Sequence, residues 1–149
     1  QNQYQDPFDE YMKRMRDTAH FIYENDRVFI LTPFAPQFSD QVDIYLKQHA
    51  RNVTDLWGNN KYSDYDRKVI IDSILGVFHG LYQRRNVKDL NVTIHQSDFN
   101  LNGLPYRLHF HILPRKYKLG ALEISQKIQI ISIDPLVTSQ AVREHYSNH

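Results

Sequence analysis

The segment Tyr106-Arg107-Leu108-His109-Phe110-His111-Ile112-Leu113-Pro114 constrains the fold more than any other part of the chain. Read as a strand, it alternates: Tyr106, Leu108, Phe110 and Ile112 face one side, and Arg107, His109 and His111 face the other. The first side is apolar enough to be core. The second carries a guanidinium and two imidazoles, the imidazoles roughly 7 Å apart at about 3.3 Å of rise per residue. A solvated strand face gains little from two histidines, whereas a phosphate site or a metal site uses them directly.

Composition narrows what such a strand can serve. The 149 residues are 41% hydrophobic and 23% charged, which suits a single domain (1–149) with one proper core. Net charge is +1, so no nucleic-acid footprint is expected and any anion site must be local. The absence of cysteine excludes disulfides, thiolate metal ligands and a thiol nucleophile. No apolar run approaches ~18 residues, so no membrane span is expected. The chain begins Gln1-Asn2-Gln3. A cytoplasmic location is the default expectation, with an organellar one after loss of a presequence as the alternative.

Asp6-Pro7 reads as a helix start, and Phe8, Tyr11, Met12 and Met15 follow at helical spacing. Val28 to Leu31 is β-rich, and Val42, Ile44 and Leu46 alternate on one side of a further strand. On that strand Asp43 is expected to face solvent. Ser63 or Asp64 can cap a long helix ending near Arg85, with Ile70, Ile74, Val77, Phe78 and Leu81 as its apolar stripe. Leu90 to His95 alternates again, with Leu90, Val92 and Ile94 inward. Ala121 to Ile133 is strand-like. Thr138 or Ser139 can cap a last helix. This order predicts an α+β fold: a mainly antiparallel sheet, one long helix and terminal helices.

His95 and His109 fall on adjacent candidate strands. If those strands pair, His95, His109 and His111 converge on one face. Two chemistries follow. Three imidazoles suit one zinc or iron ion with a position left open. Alternatively, one neutral imidazole attacks phosphorus while a neighbouring histidine and arginine hold the phosphate oxygens. Arg115 and Lys116 would extend such an anion site. His20, His49, His79, His145 and His149 read as ordinary polar groups with backbone partners.

These residues resemble the histidine-triad superfamily. His109-Phe110-His111-Ile112-Leu113-Pro114-Arg115 is similar to the end of its signature, and Lys47-Gln48-His49 sits where the family has a Pro-Lys-x-His stretch. Phe34-Ala35-Pro36-Gln37-Phe38, Ile94-His95-Gln96, the two strand histidines and Lys118-Leu119-Gly120-Ala121-Leu122-Glu123 together look like the second half of galactose-1-phosphate uridylyltransferases. That resemblance implies that His95, His109 and His111 ligate a structural metal. It also implies that residues near Lys118 and Glu123 contact a hexose phosphate, and that the nucleophile lies in a first half this chain lacks. The one-domain branch of the superfamily would instead use His109 as nucleophile, with His111 on the phosphate. That branch would carry a histidine at position 107, where this chain has Arg107, a cation that can bind phosphate but cannot relay a proton.

Two functional expectations therefore stand. In the first, the chain is a nucleotide- or sugar-phosphate-binding domain related to nucleotidyltransferases. Catalysis is then at His109, with Arg107, His111, Arg115, Lys118 and Glu123 around the substrate. In the second, it is a catalytically silent subunit of a larger assembly, keeping a His95/His109/His111 site for zinc or iron. The resemblance also implies a homodimer through the sheet edge.

Overall fold

A computed structural model of the chain describes residues 6–58, 62–97, 106–115, 125 and 130–148. The expected strand from Ala121 lies mostly outside the described residues, and 130–134 form no strand.

Helix α1 (Pro7–Arg16) starts where the Asp-Pro pair predicts. The Asp6 carboxylate accepts the Phe8 N–H at 2.9 Å, and Pro7 occupies a position whose N–H would have no partner. The helix ends at Arg16, because Phe21 is already the first residue of β1 (Phe21–Glu24). Strands β2 (Val28–Leu31) and β3 (Val42–Leu46) follow, then a single helical turn α2 (Thr54–Trp57). The long helix α3 (Asp64–Arg85) opens on a complete capping box between Ser63 and Asp66, a device worth about 1 kcal/mol. It closes on Asn86 in the left-handed conformation (φ 53°). Strands β4 (Leu90–His95) and β5 (His109–Pro114) precede the last helix α4 (Pro135–Ser147). That helix is capped by Asp134, four residues before the expected Thr138 and five before Ser139. It is a second Asp-Pro start, built like that of α1.

The strands form one antiparallel sheet in the order β1-β2-β3-β5-β4. The fold is α+β, as the sequence predicts. Each face of the sheet has its own cover. On one face Val28, Ile30, Val42, Ile44, Leu46, Phe110 and Ile112 pack against Ile70, Val77 and Leu81 of α3 and Val142 of α4. On the other, Phe29, Leu31 and Tyr45 pack against Met12 and Met15 of α1. Helix α4 lies close against α3 because Gly76 leaves room. A Cβ there would stand 2.6 Å from the Tyr146 hydroxyl oxygen. Asp40 ties these pieces together, accepting from Arg85 Nε and from the Thr138 hydroxyl, each at 2.7 Å.

Candidate metal centre

Strand parity decides what meets on the α1 face. Phe110 and Ile112 turn toward α3, so His109 and His111 turn toward α1. The register then lays out two rows of side chains. Tyr45, His109 and His95 stand opposite one another across β3, β5 and β4, and Asp43, His111 and Thr93 form the next row. Directly opposed side chains in antiparallel strands sit about 4.5–5.5 Å apart at Cβ. The imidazoles of His95, His109 and His111 are thereby brought together, each offering a nitrogen within 4.8 Å of the others. The His95 ring stacks on His111 with centroids 4.1 Å apart and on His109 at 4.9 Å.

Burial sets the protonation of the cluster. His109 is 8% exposed, and desolvation holds its pKa below the ordinary histidine value, with the His95 charge adding to the effect. Desolvation, then repulsion from His95 and His109, lowers His111 to about 4. Both rings are neutral at pH 7. The Nδ1–H of His109 donates to the Arg107 carbonyl at 2.8 Å, which leaves Nε2 with the lone pair. The Thr93 hydroxyl lies 3.4 Å from Nε2 of His95. Neutral imidazoles with one nitrogen tied and one free are the protonation state a transition metal requires. The donor set fits one zinc or iron ion with a fourth position open.

Asp43 departs from the sequence expectation. It is 3% exposed, not solvent-facing, because α1 covers the sheet face expected to be open. Desolvation pushes its carboxyl up to about 7, against the stabilising hydrogen bond from Gln41 Nε2 at 2.8 Å. Its Oδ2 stands 3.8 Å from His111 Nε2.

The expected phosphate ligands are dispersed. Arg107, placed by parity beside the histidines, is 1% exposed and turned under α1. Its Nη2 reaches Asp6 at 2.5 Å and Asp9 at 2.9 Å, and its Nη1 donates to the Lys47 carbonyl. The guanidinium neutralises the Asp6 and Asp9 carboxylates at the start of α1 and does not face an open anion site. Arg115 is exposed just past β5, four residues beyond His111 or roughly 13 Å along the strand. With Lys88, Asp89, Leu90 and Asn91 it lines an open depression of about 550 Å³. Lys118 and Glu123 lie outside the described residues. Tyr106, expected on the apolar side, instead has its ring beside Phe8 and His109, since β5 begins only at His109.

Two neighbours of the cluster were not anticipated. Phe8, Tyr11 and Tyr45, with Pro7, line a mostly aromatic cavity of about 250 Å³. Phe8 and Tyr45 also touch His109, so the cavity adjoins the cluster. The apolar spacing of α1 was the available signal, because that stripe had to bury itself somewhere. Asp6, Asp9 and His49 also converge, but Arg107 already supplies the positive charge among them.

No family model and no curated protein matches the chain. Solved structures do match in fold. The chain is similar to a uridylyltransferase at a TM-score of 0.73 and 16% identity, covering 95% of this chain and 48% of that one. An ADP-glucose phosphorylase from Arabidopsis thaliana with bound ADP-glucose gives 0.72 and 22%, over 93% and 46%. A zinc-bound histidine triad family protein from Mycobacterium smegmatis gives 0.62 and 13%, over 95% and 92%. The chain thus spans about half the length of the first of these structures and nearly all of the last.

Proposed function

We propose, starting from a histidine-triad fold close to that of the second half of the galactose-1-phosphate uridylyltransferases, that this chain is a metal-holding domain of a protein that binds nucleotides or sugar phosphates. His95, His109 and His111 are the ligands, and zinc or iron is the ion. The observation that carries this reading is the convergence of three nitrogens within 4.8 Å, with the two central rings held neutral. When bound, the ion supplies a charged cross-link between β4 and β5. The rest is the work of the chain's own residues. The Arg107 carbonyl fixes the His109 tautomer, and Tyr45 and Phe8 pack against the His109 ring. Elemental analysis of the purified chain is expected to find about one zinc or iron per molecule. A chain that purifies without metal, and takes up none on dialysis against zinc or iron, overturns the reading.

A second reading keeps His109 as a nucleophile toward phosphorus, with His111 on the phosphate. It is favoured by the same Nδ1–H···O=C hydrogen bond, which leaves a lone pair on Nε2. Against it stand the coverage of His109 and the commitment of Arg107 to Asp6 and Asp9. Incubation with a nucleoside phosphoramidate, a dinucleoside polyphosphate and a nucleoside diphosphate sugar tests it. Turnover abolished by His109→Ala supports transfer at this residue, and equal rates in both proteins remove it.

The sheet also supports a partner. Among the described residues strand β4 is an edge strand, and its core-side residues Val92 and Ile94 are 40% and 49% exposed. Ile71, Leu75 and Tyr82 of α3 are exposed as well. A second copy of the chain, paired through β4, is the partner proposed. Its measurement is the solution mass, with Ile94→Lys expected to yield a monomer.

A further inference from the structure

The proposed metal centre contains a carboxylate that the three-histidine pattern does not account for. Asp43 sits directly across the β3–β5 ladder from His111, on the same sheet face. It is almost wholly buried. Burying a carboxyl against aromatic rings is costly unless each oxygen has a task. One oxygen has one: Oδ1 accepts from Gln41 Nε2 at 2.8 Å. The Gln41 amide cannot turn over, because its own oxygen accepts the N–H groups of Gln37 and Phe38 at 2.8 and 3.3 Å. The loop therefore holds Gln41, Gln41 holds Asp43, and Oδ2 is left aimed at Nε2 of His111, 3.8 Å away. Among the described residues no hydrogen bond reaches Oδ2. A closure of about 0.9 Å brings the two atoms to ordinary hydrogen-bond length.

We propose that Asp43 is the positioning residue of the three-histidine centre: its Oδ2 accepts the Nε2–H of His111 and thereby leaves Nδ1 as the nitrogen that ring presents to a metal ion. His109 is arranged the same way by a main-chain carbonyl. The centre then has an outer partner on both of its β5 ligands. Such partners fix ring tautomer and orientation and raise ligand basicity. The carboxylate also offsets one unit of the ion's charge from within the same chain. This assignment rests on the metal-holding reading above.

Two measurements separate the assignment from that reading. The first needs neither a metal nor a variant. Imidazole ¹⁵N shifts of the metal-free protein at pH 8 report which nitrogen of His111 carries the proton. Nε2–H is the expected result, and a predominant Nδ1–H tautomer overturns the assignment whether or not metal binds. The second compares zinc affinity, by competition with a chromophoric chelator, in the wild type, Asp43→Leu and Asp43→Glu. Zinc binding by Asp43→Leu is expected to weaken 10- to 100-fold, with partial recovery in Asp43→Glu. Wild-type affinity in a folded Asp43→Leu protein overturns the positioning role while leaving the metal centre intact. A wild type that binds no zinc removes the metal centre, and the tautomer then decides the Asp43–His111 contact alone.

Discussion

The two faces of one sheet are buried to nearly the same degree and are built from opposite materials. Toward α3 and α4, strands β2, β3 and β5 present Val28, Ile30, Val42, Ile44, Phe110 and Ile112. Toward α1 the same strands present Phe29, Leu31, Asp43, Tyr45, His109 and His111. The first face is stabilised by excluded water alone, at roughly 25 cal/mol per Å² of apolar surface. The second excludes water just as well but encloses polar groups that need partners, and not every atom finds one: Arg107 Nε has no hydrogen bond among the described residues. Gln41 serves Asp43, the Arg107 carbonyl serves His109, and Asp6 serves Arg107. A fold that needed only stability would have made both faces alike. Under the proposed function, the polar face is the cost of the metal centre.

The contrast can be broken most forcefully at Arg107. Arg107→Ala leaves Asp6 buried without its cation, and a loss of about 3–5 kcal/mol is expected in urea unfolding. If the loss stays below that of an exposed ion pair, about 1 kcal/mol, the polar face is not held by this pair. The matching test on the apolar face is Ile112→Ala, expected to cost about 2–5 kcal/mol through lost burial and a cavity. It should leave zinc affinity unchanged, and a parallel drop in affinity would mean the two faces are not independent.

Acid sharpens the comparison further. His111 is lowered from 6.5 to about 4. Between those values the unfolded chain binds more protons than the native one, so this group's stabilisation is lost as pH falls through the window. Asp43 is raised from 3.8 to about 7. There the native state binds more protons, so its contribution is lost as pH rises through the window. The two oppose each other and nearly cancel between pH 4 and 6.5, leaving the metal-free wild type the loss on acidification that the lowered His109 contributes. Asp43→Asn removes one side, and its stability should fall on acidification by up to about 3 kcal/mol. Parallel profiles for the two proteins would show that the groups do not titrate as described. The smallest effect belongs to the exposed edge: Ile94→Ser should change monomer stability by no more than about 0.5 kcal/mol.

Much of this was legible from the residues. The alternation of 108–112 assigned both faces of β5 correctly, and the pairing of β4 with β5 brought His95 to His109 and His111. Arg107 lies on the α1 face with the histidines, as parity predicts, but its guanidinium is taken up by Asp6 and Asp9. Its partner Asp6 is 101 residues away, and no local pattern announces so distant an ion pair. Asp43 is buried where a wet face is expected because a strand apolar on one side can be covered on the other by a helix as well. The spacing of Phe8, Tyr11, Met12 and Met15 held the remedy, since that helix face had to cover something. Asp134-Pro135 repeats the signal read at Asp6-Pro7, and it starts the last helix in place of the expected Thr138 or Ser139.

Asp6 divides its two oxygens between the N–H of Phe8 and the guanidinium of Arg107. No single replacement preserves both duties. Asparagine or serine would still begin the helix but leave the arginine with only Asp9 and the Lys47 carbonyl, and glutamate would keep the charge but reach past the helix terminus. Positions 6 and 107 are therefore bound to drift as a couple. Among diverged copies of this chain, a substitution at one should be accompanied by a change at the other, a pairing readable from sequences alone.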